Sequence, residues 1–130
     1  MTGVPEAAVD VVARVPEPAR DAGDGWRAVC RLDDLIPDRG VAALVDGALV
    51  AVFLLHGGDV LAIDNLDPFS GADVLSRGIV GDVGGEPTVA SPLYKQRFAL
   101  RTGRCVDDPT VAVRTWSTRL VDGRIEVAAG

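Results

Sequence analysis

Few side chains in this chain could do redox or nucleophilic chemistry. It has one histidine, His56, and two cysteines, Cys30 and Cys105. A structural zinc site needs four Cys or His ligands. An all-cysteine iron–sulfur cluster needs four thiolates, and covalent haem attachment needs a Cys-x-x-Cys-His run. None of these can be assembled from this set. His56 follows the apolar run Ala51–Leu55 and precedes Gly57-Gly58, a strand end beside a turn, where a surface histidine is ordinary. Ser70, Ser76, Ser91 and Ser117 lack the Gly-x-Ser-x-Gly elbow, and any Ser or Cys nucleophile would have to share His56 as its base. The acidic pairs Asp33-Asp34 and Asp107-Asp108 adjoin turn formers without calcium-loop spacing, so they read as solvated carboxylates. No catalytic residue and no metal ligand is expected.

The charge balance narrows the partners. The net charge is −6, and residues 1–25 alone carry five carboxylates against two arginines. No run of basic side chains is present to release counterions from phosphate, so nucleic acid is not an expected partner. No stretch approaches the roughly 20 apolar residues of a membrane span, and the N-terminus lacks the basic-then-apolar order of a signal peptide. The expectation is a cytoplasmic protein with both thiols reduced.

The elements that position these residues read as β. A chain of 130 residues supports one core. Residues 1–25 hold Pro5, Pro16 and Pro18 among Ala, Glu, Asp and Gly, with no aromatic before Trp26, and are expected to form a disordered acidic tail. A helix over Ala7–Val15 would be too short to persist alone. From Trp26 to residue 130 short apolar runs alternate with turn signals, the pattern of an all-β domain. Strands are expected at Trp26–Leu32, Val41–Val45, Leu49–Leu55, Val60–Asp64, Ile79–Val83, Thr88–Ala90, Arg97–Arg101, Val111–Val121 and Ile125–Val127. Asp46-Gly47 and Asp122-Gly123 are expected hairpin turns. The segment Asn65–Gly78, too rich in turn formers for a strand, is a long loop with one helical turn within Ala72–Ser76, and loops of this length are usually functional.

That loop carries a family resemblance. Asn65-Leu66-Asp67-Pro68-Phe69, followed by Val74-Leu75-Ser76-Arg77-Gly78, resembles the first cluster-binding loop of Rieske proteins, Asn-x-Cys-Pro-His and then Pro-Leu-Ser-x-Gly. Ser91-Pro92-Leu93-Tyr94, followed by Arg97-Phe98-Ala99-Leu100-Arg101-Thr102-Gly103, resembles the second loop, Cys-Pro-x-His, and its downstream strand. Lys95 stands where that loop usually has glycine. The resemblance runs through the hairpin Arg119–Val127 and covers Trp26–Val127. It implies a Rieske-like antiparallel β-sandwich or barrel of short strands, with the two loops forming a degenerate cluster-binding tip. By motif alignment Asp67 and Ser91 take the cysteine places, and Phe69 and Tyr94 the histidine places. A Rieske cluster requires Cys₂ on one iron and His₂ on the other, so no cofactor is expected in this chain.

A ligand-free domain with Asp-Pro-Phe, Leu-Ser-Arg-Gly and Ser-Pro-Leu-x-Lys-Gln-Arg-Phe resembles the small subunit of assimilatory NAD(P)H-dependent nitrite reductase. The resemblance implies a large catalytic subunit as partner, carrying FAD, a [4Fe–4S] cluster and sirohaem and reducing nitrite to ammonium. The small chain would then have a structural or assembly role. Two other readings stand beside it: a Rieske-type [2Fe–2S] electron-transfer ferredoxin, which the missing ligands oppose, and a stand-alone binding module. Partner contacts are expected at Phe69, Arg77, Tyr94, Lys95 and Arg97, with Phe69 and Tyr94 alternatively filling the space a cluster would take.

Overall fold

The computed structural model describes residues 18–129. The expected helix over Ala7–Val15, and the rest of residues 1–17, lie outside these. In chain order the strands are β1 (Arg20–Asp21), β2 (Arg27–Arg31), β3 (Arg39–Val45), β4 (Ala48–Leu54), β5 (Val60–Asp64), β6 (Leu66–Asp67), β7 (Ala72–Asp73), β8 (Ile79–Val83), β9 (Glu86–Ala90), β10 (Arg97–Ala99), β11 (Thr115–Val121) and β12 (Arg124–Ala129). Single 3₁₀ turns occupy Leu32–Asp34 and Leu75–Arg77. No helix among the described residues is long and apolar enough to cross a membrane.

Seven strands form one antiparallel sheet in the order β1-β2-β12-β11-β5-β4-β3, and β10-β9-β8 form a second, smaller sheet. The large sheet curls until its edges meet. Pro18 bridges Leu44 of β3, and the Ala19 N–H donates to the Leu44 carbonyl at 2.8 Å just before the chain pairs with β2. This corrects the expectation for residues 18–25, which are not part of a tail. Their main chain joins the two sheet edges, whose unpaired groups would otherwise stay open. The expected strand Val111–Val121 also begins later, at Thr115. Ala112 makes one bridge to Arg104, and the Val113 N–H donates to Gly103, which draws residues 111–114 over the preceding turn.

β4 explains how the two sheets share a core. Val50 and Val52 belong to a cluster inside the curled sheet, with Leu35, Val45, Ala62, Trp116, Ile125 and Val127. Ala51 and Phe53, on the other face, join Ile63, Leu75, Val89, Phe98, Leu100 and Cys105 beneath the small sheet. A strand buried on both faces needs no polar alternation, which accounts for its sequence ALVAVFL. The hairpins at Asp46-Gly47 and Asp122-Gly123 have positive φ at both turn residues, 50° and 85° in the first and 51° and 79° in the second, as a two-residue type I′ turn requires.

The large sheet carries a buried charge. Glu126 of β12 is 1 % exposed, beside a bulge, and accepts from Arg119 Nε at 2.6 Å and from Arg124 Nη2 at 3.3 Å. The Arg119 hydrogen bond, aided by Arg124, holds the Glu126 carboxyl below the usual glutamate range despite burial. A carboxyl lowered in the folded state contributes stability that is complete above its unfolded value of about 4.3. That stability is lost as pH falls through the folded value. The melting temperature is therefore expected to drop as pH falls below about 5. Glu126→Gln should start lower at neutral pH and show a shallower acid limb. Parallel acid limbs for the two proteins would contradict this assignment.

Candidate functional site

The site is built where two loops leave the core next to each other. The first is pinned at both ends by Asn65, itself 1 % exposed. Its Oδ1 accepts the Ser76 N–H at 2.7 Å, and its carbonyl accepts the Leu75 N–H at 3.0 Å. Between these points β6 pairs with β7, so the expected helical turn within Ala72–Ser76 gives way to a short strand and a 3₁₀ turn at Leu75–Arg77. The Asp67 carbonyl accepts the Gly71 N–H at 2.8 Å, and Asp67 Oδ1 accepts the Phe69 N–H at 2.9 Å. The second loop closes on Ser91. Its N–H donates to the Gln96 carbonyl at 2.8 Å, and its carbonyl accepts the Lys95 N–H at 3.1 Å. Lys95 has φ 67°, the left-handed conformation that glycine adopts without cost.

A direct hydrogen bond joins the loops. Ser91 Oγ donates to Asp67 Oδ2 at 2.6 Å, and both residues are fully buried. Ser91 Oγ in turn accepts the Leu93 N–H at 3.3 Å. A hydroxyl bonded to a carboxylate at this distance is among the stronger protein hydrogen bonds. The polar atoms of Asp67 and Ser91, the two residues that the motif alignment sets at cysteine places, are thus turned on each other.

The aromatic pair divides. Phe69 is half-buried, with its ring centroid 6.1 Å from that of fully buried Phe98 at a 47° tilt. Tyr94 is 60 % exposed. The expected cationic contacts divide too. Arg97 grips Asp107 through Nη2–Oδ1 at 2.7 Å and Nε–Oδ2 at 3.3 Å, and its backbone N–H adds a third bond at 2.8 Å. The Arg97 guanidinium holds the Asp107 carboxyl below the usual range. Arg77 and Lys95 are exposed and make no ion pair among the described residues.

The remaining reactive side chains lie outside these loops. His56 Nδ1 is 3.1 Å from Asp38 Oδ2 on an exposed turn. Cys105 is buried in the core, and Cys30 is half-buried on β2. Burial, then the charge of Asp34, pushes the Cys30 thiol up to about 11, so it stays protonated at neutral pH. Among the described residues no group of three or more His, Cys, Asp or Glu side chains is placed to hold a metal ion. The Ser91–Asp67 bond itself is what sequence reasoning missed. Its signal was a donor and an acceptor replacing two residues that the Rieske motif brings together in space.

The curled sheet, the small sheet and the paired loops define a Rieske-like β domain. The family model for the Rieske-like [2Fe-2S] domain matches residues 25–128. The chain is 45% identical over 103 residues to a nitrite reductase (NADH) small subunit of Salmonella typhimurium, covering 78% of this chain and 95% of that one. It is also similar to a crystal structure described as an NADH-dependent nitrite reductase small subunit from Mycobacterium tuberculosis. There the identity is 53%, the coverage is 81% of this chain and 95% of that chain, and the TM-score is 0.78. A third relative, a nitrite reductase [NAD(P)H] large subunit of Klebsiella oxytoca, is 47% identical over 102 residues, covering 78% of this chain and 11% of that protein. The chain belongs to the family of nitrite reductase small subunits. The [2Fe–2S] cluster in the name of the wider domain family does not fit the residues here. A carboxylate and a hydroxyl spent on each other, a phenyl ring and a phenol stand in place of two thiolates and two imidazoles.

Proposed function

We propose that this chain is a cluster-free, non-redox subunit of a cytoplasmic NAD(P)H-dependent nitrite reductase that joins and supports the large catalytic subunit. In this reading FAD, the [4Fe–4S] cluster and sirohaem all reside in the large subunit, where nitrite is reduced to ammonium. The observation that carries it is the 2.6 Å Ser91–Asp67 hydrogen bond, which joins the two loops directly, side chain to side chain. The Klebsiella relative supports the partner, because a segment like this domain lies within a protein named as a large subunit. The tip supplies a contact surface in exposed Arg77, Tyr94 and Lys95. Phe69 and Arg97 hold its shape through Phe98 and Asp107.

The purified chain is expected to be colourless and to contain no stoichiometric iron. Ser91→Cys alone should not change this, since it supplies one ligand of the four required. Visible absorption bleached by dithionite in the natural chain would refute the non-redox assignment, and iron uptake by Ser91→Cys alone would contradict the loop alignment.

A further inference from the structure

The small sheet has an open edge with a groove beside it. Among the described residues β8 pairs only with β9, and Val83 stands opposite Glu86 across the Gly84-Gly85 turn. Antiparallel bonding alternates from that pair. Val83, Gly81 and Ile79 therefore exchange bonds with β9, and the N–H and C=O groups of Val80 and Asp82 point away from it. Two observations fit this register. Pro87, which has no N–H, stands opposite Asp82, and its carbonyl accepts from Leu100 on the other side of β9. The backbone groups of Val80 and Asp82 have no main-chain partner in other turns or loops among the described residues.

A cavity of about 260 Å³ lies against Val80, Gly81 and Asp82 of this strand. Leu55, Val80 and Pro87 give it apolar surface, and Asp38, Asp59 and Asp82 give it carboxylates. Its one guanidinium, Arg101, is bound to Asp59 at 2.6 Å, and its histidine, His56, stands against Asp38. Ile79, on the same strand, is 73 % exposed. An edge strand with free backbone groups and an exposed isoleucine is a template for another strand. A groove that adds both apolar and acidic side chains selects what that strand carries.

We propose that this groove receives an extended, lysine- or arginine-bearing segment of the large subunit, which adds to β8 as a fourth strand of the small sheet. The occupant rests on the subunit reading above, and its chemistry rests on the groove's carboxylates. A second copy of this chain fits less well, since it would bring another Asp82 and a net charge of −6 to an acidic groove. The chain's own residues 1–17, with Glu6, Asp10 and Glu17 against Arg14, have the wrong sign.

The test is amide hydrogen exchange of the full-length chain, alone and with purified large subunit. The Val80 and Asp82 amides should exchange about tenfold or more slowly in the complex, as amides that gain a strand partner do. Val80→Pro should bind at least about tenfold more weakly and still fold, because a proline is tolerated where the N–H faces away from the sheet. Its melting temperature should fall somewhat, since the Val80 side chain packs on the core. Asp82→Asn keeps an oxygen for its 3.0 Å bond to the Gly85 N–H. It should bind more weakly and with less salt dependence, and it serves as the second variant if Val80→Pro fails to fold. If a complex forms with unchanged exchange at both amides, the groove assignment is overturned and the subunit reading stands. If the wild-type chain forms no complex at all, both fall.

Discussion

Gly103→Ala is expected to lower the melting temperature by about 15 °C, corresponding to about 4 kcal/mol for a domain of this size. Gly103 has φ +77°, and a Cβ there would lie 2.0 Å from the Val113 carbonyl oxygen. That carbonyl belongs to the backbone, and the Gly103 carbonyl holds the Val113 N–H at 2.8 Å, so neither segment can retreat without breaking the turn. Gly47→Ala is the control. Its φ is +85° but nothing lies within 4 Å of the added Cβ. It should lose only the conformational term, about 1–2 kcal/mol. Calorimetry of both variants separates backbone strain from steric overlap, and equal melting temperatures would show that the close approach at Gly103 is not there.

Asp67→Ala should cost about 3 kcal/mol, or roughly 12 °C. It leaves the buried Ser91 hydroxyl and the Phe69 N–H without their acceptor. Ser91→Ala should cost less, about 2 kcal/mol, because Asp67 keeps the Phe69 N–H. The double variant should cost clearly less than the sum of the two, with a coupling of about 1–2 kcal/mol, since both single changes break the same bond. Strict additivity in denaturant titrations would mean that the loops are not joined through these side chains.

Much of the fold was legible where side-chain chemistry dictates backbone shape. Asp46-Gly47 and Asp122-Gly123 sit in the hairpins they signal, and Val60–Asp64 and Ile79–Val83 are strands with those bounds. What escaped were features made by main-chain atoms or by pairs distant in sequence. The Ala19–Leu44 bond that closes the barrel has no side-chain signature, so a proline-containing segment reads as tail. Val111–Arg114 has the apolar spacing of a strand, but the Gly103 turn claims its backbone groups. At the site, the motifs located Asp67, Phe69, Ser91 and Tyr94. Spacing along the chain could not show that Asp67 and Ser91 bond across 24 residues. Nor could it show that one aromatic faces Phe98 and the other faces solvent.

The most direct measurement is size-exclusion chromatography of the untagged chain mixed with a nitrite reductase large subunit from the same source, with iron assigned to each chain after separation. One co-eluting complex is expected, in which all iron follows the large subunit. Separate elution of the two chains, or iron retained by the small one, would contradict it.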